Sequence, residues 1–465
     1  MRITLATPMR DIGTIAAALG ITPKKIGEPS GKIYGIATDS REILPGDMFL
    51  AMRGECHNGN DFIEDALLRG AAAVLCDSES ESAPGCYWQL SVKSVEEALL
   101  SLAHARRLLT SACVIAVSGS TGKTTVKEII ASVLSEVGTV RKSEGNFNST
   151  VGMPLSLLGM EEADFLVLEL GINHPGEMER LSLSLAPSVT VLTNVGSAHV
   201  GQFESAAALL SEKLKITAGQ QAGDILLLAD TIPREAWQEL PQRTLTVGTS
   251  DRADFHLVSI KHSKEGVVAA LTDGTRTVGD LRWHIPGSIG LCAVGIAGAI
   301  GLLFGVPDDG IRLGLARAAA AAPRMKTMSV AGLHVIDDTY NASPEAVIAA
   351  LEALAYLGGA HTAAVLGDIG ELGEVAELLH DAVGECAAHS GISSLFTYGH
   401  YAEILKAGAL RGGMSVYAVH AFDFGEEQAL AAHIRKALPL GTTVLFKASR
   451  KTALERVIKE LKKEE

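Results

Sequence analysis

Ser118-Gly119-Ser120-Thr121-Gly122-Lys123-Thr124-Thr125 is the stretch on which the fold turns. It follows the apolar run Cys113–Val117 and precedes Val126, Ile129, Ile130, Val133, Leu134 and Val137, which recur at helical spacing. A strand, a glycine-rich turn and a helix, in that order, are the setting in which such a turn cradles phosphate. Glycines let backbone N–H groups face an anion, and the helix N-terminus adds the positive end of its dipole. Lys123 is placed to contact β- and γ-phosphates, and Thr124 to hold magnesium. Gly119, Ser120, Thr121, Gly122 and Thr125 complete the expected nucleotide-binding set. The general pattern asks for a glycine where this chain has Val117. An ordinary turn before a helix is the alternative, and Gly-Lys-Thr-Thr in this setting weighs against it.

Outward from the loop, short apolar runs alternate with helical patterns, which predicts an α/β chain with mostly parallel sheets. Further strands are expected at Phe165–Leu170, Val189–Asn194 and Ile225–Ala229. A second α/β series begins after the Ala-rich stretch ending at Pro323, with strands expected at Leu333–Ile336, Thr362–Leu366, Ser394–Tyr398 and Thr443–Phe446. The first hundred or so residues alternate less regularly. The 465 residues therefore divide into three expected domains, 1–112, 113–322 and 323–465, in line with about 150 residues per domain. The reading is a central phosphate-loop parallel-sheet domain, a C-terminal Rossmann-like α/β domain and a smaller N-terminal α/β domain. Clefts between them are natural ligand sites.

Composition narrows the function. Hydrophobic residues make up 47% and charged ones 20%, against disorder or coiled coil. Lys plus Arg is 40, Asp plus Glu is 54, and the formal charge is −14. That balance argues against wrapping nucleic acid or binding anionic lipid, while leaving room for a local basic pocket. Cysteines stand at 56, 76, 86, 113, 292 and 386 without a CxxC pair, and are read as buried thiols in a reducing compartment. The N-terminal Met-Arg-Ile-Thr-Leu lacks the apolar core of a signal peptide. Ile289 to Val306 runs 18 positions without a charge but holds five glycines between Pro286 and Pro307, and is read as a buried helix rather than a membrane span. A soluble cytoplasmic protein without a membrane span is expected.

Ligands in open α/β sheets bind beyond the carboxyl ends of strands. Polar residues there are candidates. Glu169 is an acid inside Phe-Leu-Val-Leu-Glu-Leu; a buried carboxylate needs a partner, and a metal or a plain salt bridge would serve. Thr193-Asn194 ends the next strand, and His199 follows, a metal ligand or a surface residue. Lys213, in Ser-Glu-Lys-Leu-Lys-Ile, reads locally as a solvated helix lysine. Asp337-Asp338-Thr339-Tyr340-Asn341-Ala342 and Gly367-Asp368-Ile369-Gly370-Glu371-Leu372-Gly373 each follow an expected strand. Both read as turns, or together as part of a composite site.

Taken together, these segments resemble the Mur ligase family over nearly the whole chain. The family's phosphate loop is matched by Gly119 to Thr124, its strand-end acid by Glu169, and its Asn-x-x-x-x-His by Asn194 and His199. Its carbamylated lysine is best matched by Lys213. In the first domain, Thr38-Asp39-Ser40-Arg41 and Pro45-Gly46-Asp47 are similar to the family's UDP-sugar-binding domain, although its Asp-Gly-His is Asn58-Gly59-Asn60 here. Lys447-Ala448-Ser449-Arg450 is similar to its Lys-Gly-Ser-Arg. The subtype implied by Asp338 to Ala342, and by the Gly367 to Gly373 segment with His380 downstream, joins D-alanyl-D-alanine to UDP-N-acetylmuramoyl-tripeptide in peptidoglycan precursor synthesis. The resemblance implies ATP and magnesium as cofactors, an acyl phosphate intermediate, and a monomer. It implies Thr124, Glu169, His199 and carbamylated Lys213 as metal ligands. Arg324, Asp338 and Asn341 would close over the nucleotide, and Ser40, Arg41 and Asn146 would contact substrate.

Further segments depart from the family: its Leu-Asn-x-Asp becomes Leu228-Ala229-Asp230 or a shifted equivalent, and its Tyr-Asn-Ala-Asn-Pro becomes Tyr340-Asn341-Ala342-Ser343-Pro344. Its adenine-seating His-Asn-x-x-Asn is lost in Pro286-Gly287-Ser288-Ile289-Gly290-Leu291-Cys292-Ala293. Three other readings stand beside the first: another Mur-type or folylpolyglutamate-type amino-acid ligase, a nucleotide-binding regulator that has kept the fold, prompted by the lost asparagines, and a P-loop GTPase. The first-domain match disfavours the folylpolyglutamate type. The GTPase lacks its Asn-Lys-x-Asp base-reading motif.

Overall fold

Short apolar runs pair side by side wherever a helix can cover each face, and the chain does this three times in succession. The computed structural model describes residues 1–54, 57–77, 85–196, 200–321 and 325–463. His199 and Arg324 lie outside the described residues.

The first sheet runs Arg2–Thr4, Gly35–Ala37, Met48–Leu50, Ala73–Cys76, Tyr87–Ser91, Lys24–Ile26, with its four inner strands parallel and its two edges antiparallel. Its core continues into the next domain through Leu155 and Leu158. These side chains come from the helix Gly152–Gly159.

The central sheet has nine strands. From one edge they are Thr277–Trp283, Gly266–Thr272, Phe255–Ser263, Arg243–Gly248, Ile225–Ala229, Val189–Leu192, Cys113–Ser118, Phe165–Glu169 and Val140–Lys142. From Phe255–Ser263 through Val140–Lys142 every pairing is parallel. The expected strands at 113, 165, 189 and 225 all form. The last three strands in sequence are an antiparallel meander that the sequence reading did not foresee. The register shifts between Val258 and Lys261 and between Ala269 and Leu271, and such irregularities interrupt the two-residue period that signals a strand.

The third sheet is Lys326–Val330, Leu333–Asp338, Thr443–Lys447, Thr362–Gly367, Ser394–Tyr398, Val419–Phe422, parallel except at its first strand. The apolar run after Pro286 folds as the buried helix Gly287–Leu303. Among the described residues no helix is long and apolar enough to cross a membrane. One cysteine corrects the reading of buried thiols: Cys86 is exposed, while Cys76 is buried and Cys113, Cys292 and Cys386 are partly so. Cys56 lies outside the described residues.

The central and C-terminal domains share one apolar cluster, which joins Ile115 and Val133 to Val347, Leu351 and Leu445. The helix Pro344–Leu357 supplies Val347 and Leu351 and lies against Gly287–Leu303. The two domains are therefore packed against each other along that helix.

Candidate active site

Register places the site. Val117 pairs with Glu169 on one side and with Val191 on the other, and Ser118 pairs with Leu192. Three neighbouring strands thus end together, carrying the phosphate loop, Glu169 and Thr193-Asn194 to one edge.

Gly119 and Gly122 shape the loop. Gly119 has φ +150° and Gly122 φ +79°. A Cβ on Gly119 would stand 2.0 Å from Thr193 Oγ1, so no side chain fits there. The N–H groups of Ser120 and Thr121 donate to Asn194, at 3.0 Å to its carbonyl and 2.9 Å to its Oδ1. Thr193 Oγ1 donates to the Thr121 carbonyl at 2.6 Å, and Ser120 Oγ accepts from the Gly196 N–H at 2.8 Å. The helix Lys123–Leu134 begins at Gly122 without a side-chain cap. The donors of a helix's first turn have no intrahelical partner, and here they open onto the loop. Lys123 Nζ folds back to the Gly119 carbonyl at 2.8 Å. Thr125, in the same turn, is half-buried.

Glu169 is 2% exposed. Its Oε2 accepts from Thr124 Oγ1 at 2.8 Å, its Oε1 from Asn148 Nδ2 at 2.7 Å, and its N–H donates to Ser143 Oγ at 3.2 Å. Asn148 rather than Asn146 reaches Glu169; Asn146 is exposed in the same turn. Neither Asn148 nor Ser143 was singled out in the sequence. Their signal was the polar run after Lys142, whose target a single chain does not reveal.

Lys213 overturns its local reading as a solvated helix lysine. It sits on the helix Ala206–Leu214 and is 2% exposed. Burial, with Lys123 nearby as a second cause, pushes its amine down to about 7, against the opposing influence of Glu345. Glu345 comes from the C-terminal domain, at the start of the helix Pro344–Leu357. A Cβ on Gly196 would fall 2.3 Å from Glu345 Cδ, so that helix begins against the central domain.

Asp338 and Asn341 are held together by Lys447, whose Nζ donates to Asp338 Oδ2 at 2.5 Å and to the Asn341 carbonyl at 3.1 Å. Asp338 is buried and Asn341 exposed. The second turn is braced as well. Asp368 accepts from the N–H groups of His400 and Tyr401, both at 3.0 Å. In the first domain, Ser40 is buried and Arg41 exposed on the turn Ser40–Glu42. Arg41 pairs with Asp39 at 2.6 Å and holds that carboxyl well below the usual carboxylate range.

The lost adenine-seating positions have an explanation in packing. Ala293 is 1% exposed, and a Cβ on Gly290 would stand 2.0 Å from the Ile285 carbonyl. Ser288 N–H and Oγ donate instead to Glu352 Oε2 of the C-terminal domain, at 3.1 and 2.7 Å.

An uncapped phosphate loop, a hydroxyl touching a buried strand-end carboxylate, and a buried lysine beside the loop lysine meet at this edge of the central sheet; among the described residues no cluster of three His, Cys, Asp or Glu side chains is placed to hold a metal. Three family models match the chain: "Mur ligase family, catalytic domain" over 32–107, "Mur ligase middle domain" over 117–292 and "Mur ligase, glutamate ligase domain" over 323–450. The UDP-N-acetylmuramoyl-tripeptide–D-alanyl-D-alanine ligase of Bacillus subtilis is 32% identical over 436 residues, covering 92% of this chain and 93% of that protein. Its Escherichia coli counterpart is 31% identical over 435 residues, again covering 92% and 93%. Among solved structures, MurF from Acinetobacter baumannii superposes with a TM-score of 0.86 at 27% identity, over 97% of this chain and 98% of that one. MurF from Thermotoga maritima in complex with ADP gives 0.79 at 28%, over 92% and 97%. With its three sheets in this order and relatives that match it from the first domain to the last, the chain belongs to the Mur ligase family.

Proposed function

We propose that the chain is an ATP-dependent, ADP-forming ligase that joins D-alanyl-D-alanine to UDP-N-acetylmuramoyl-tripeptide, a step of peptidoglycan precursor synthesis and so of cell-wall growth, shape and division. The observation that carries this reading is the full-length match to relatives bearing that name. The match includes the first domain, over residues 32–107.

A carboxylate and an amine do not condense at neutral pH, because oxide is a poor leaving group. In the proposed reaction a carboxylate oxygen of the tripeptide attacks the γ-phosphorus of ATP and ADP departs. The amine nitrogen then attacks the acyl phosphate carbon, loses a proton, and inorganic phosphate departs. Lys123 and the first turn of its helix hold the phosphates. Thr124 and Glu169 fit a magnesium ion, since hard oxygen donors from one or two side chains plus substrate phosphates are its usual shell. His199 and the carbamate of Lys213 would complete the proposed set. Bound there, magnesium supplies charge neutralisation and alignment of the anions. In this reading Asp338 and Asn341, with Arg324, would contribute to nucleotide binding from the C-terminal domain, and Ser40, Arg41 and Asn146 to binding of the UDP-sugar substrate. Domain boundaries near 112 and 322, a monomer and a cytoplasmic location belong to the same reading.

The experiment is direct. The protein is incubated with ATP, magnesium, UDP-muramoyl-tripeptide and D-alanyl-D-alanine, and the pentapeptide product is sought by mass. One observation favours a second reading, a nucleotide-binding regulator: the apolar packing at Ile289, Gly290 and Ala293. ATP turnover unaffected by the two substrates, with no product formed, would favour it.

A further inference from the structure

His380 is fully buried on the helix Ala376–His389 of the C-terminal domain. Its two ring nitrogens meet opposite partners. Nε2 lies 2.9 Å from the Ile369 N–H, which can only donate. Nδ1 lies 2.7 Å from the Ala376 carbonyl, which can only accept. Those partners fix the neutral tautomer with its hydrogen on Nδ1. The ring also stacks on Tyr401, with centroids 4.2 Å apart and planes 17° off parallel. Tyr401 in turn donates its N–H to Asp368. The Asp368 carbonyl accepts from the Ser449 N–H at 2.9 Å and from Thr452 Oγ1 at 3.2 Å. The segment from Asp368 to Gly373 is thus pinned to its own domain, with His380 holding the backbone at Ile369.

The far end of that segment meets the central domain. A Cβ on Gly201 would stand 2.4 Å from the Gly373 N, and one on Gly373 would stand 2.9 Å from Gly201 Cα. Backbone lies on backbone there, with no room for any side chain. Gly201 follows the strand end whose Thr193 and Asn194 grip the phosphate loop. We propose that His380 is a positioning residue for ligation: it fixes the Asp368–Gly373 segment, and through Gly373 on Gly201 it sets how the C-terminal domain docks beside the phosphate loop. The inference rests on the proposed ligase reading. Small displacements of reacting groups are costly, on the order of 10²-fold for about 1 Å.

The test compares His380→Leu, which cannot accept from Ile369, with His380→Gln, whose side-chain carbonyl can. In His380→Leu, kcat for pentapeptide formation should fall at least about tenfold, because a misdocked C-terminal domain misplaces the reacting groups. Amide hydrogen exchange should quicken at Ile369 and also at residues 200–202. His380→Gln should return kcat to within about threefold of the unaltered protein, since one acceptor replaces another. Gly201→Ala, with His380 intact, should reproduce the kcat loss. A lowered melting temperature with unchanged kcat in His380→Leu would overturn the proposal. So would unaltered kcat in Gly201→Ala, or exchange that quickens at Ile369 alone. If His380→Leu does not fold, the pair His380→Gln and His380→Asn decides: the shorter Asn cannot span to Ile369, and equal kcat in both would overturn it. Absence of product from the unaltered protein counts against the ligase reading instead, and hydrogen exchange still reads the His380 bond.

Discussion

Thr124 Oγ1 donates to Glu169 Oε2 at 2.8 Å, so the phosphate loop and the neighbouring strand end meet through a hydroxyl and a carboxylate. The other oxygen of Glu169 is taken by Asn148. A carboxylate aimed by a second hydrogen bond binds a cation better than one that swings, and loss of such a partner typically lowers metal affinity about 10–100-fold. Asn148→Ala should therefore raise the magnesium concentration for half-maximal ligation by about tenfold or more. A magnesium titration of product formation measures it. An unchanged half-saturation would show that Asn148 does not orient Glu169 for a cation.

Lys123 rests on the carbonyl of Gly119, the place that a bound phosphate would compete for. Lys123→Ala should cut ligation by about 10²–10³-fold, the usual loss for one electrostatic group aimed at developing charge. Circular dichroism and melting temperature should match the unaltered protein, because the lysine is only half-buried. A folded variant with full turnover would remove Lys123 from the mechanism.

Base preference should be weak. The positions that would seat adenine in the family are Ile289, Gly290 and Ala293 here. Gly290 and Ala293 are packed against protein, and the polar groups of Ser288 are committed to Glu352. GTP or CTP should support ligation with kcat/KM within about tenfold of ATP, roughly 1.4 kcal/mol. A preference of a thousandfold for ATP would mean that other side chains read the base.

How much of this was legible follows from the range of each signal. Cys113–Val117, Thr362–Leu366 and Ser394–Tyr398 are short apolar runs between turns, a local pattern, and each forms its strand. Glu169 stood out because an acid interrupted such a run. The meander Phe255–Trp283 lacks that clean signal because register shifts in its strands interrupt the two-residue alternation. Lys213 and Lys215 look alike in the sequence. The structure turns Lys213 inward and leaves Lys215 half-exposed, paired with Glu212 at 2.9 Å. Only the rotation of the helix against the phosphate loop separates them, and that is set by tertiary packing. Asn148, Glu345 and Glu352 act across 21 or more residues of chain or between domains, where no local period points.

Lys213 carries the last prediction. Carbamylation requires a neutral amine, and burial with Lys123 alongside holds this one down to about 7. At pH 8 most of the amine is then neutral, while an ordinary lysine remains protonated. In 13C-bicarbonate the protein should show one carbamate carbon resonance that Lys213→Ala lacks. Lys213→Ala should lose most ligation yet keep ATP binding through the phosphate loop, and formate or acetate should restore part of it by filling the vacated space. The linkage sign gives an independent check. Between about pH 7 and 10.5 the unfolded chain binds more protons at this residue than the folded one, so stability rises with pH across that window. In carbon-dioxide-free buffer, Lys213→Met should flatten that rise, as read from urea midpoints at pH 7, 8 and 9. A lysine that stayed protonated at pH 8 would show no carbamate resonance, no rescue and no change of slope, and any ligation by Lys213→Ala at the unaltered rate would remove the residue from the chemistry.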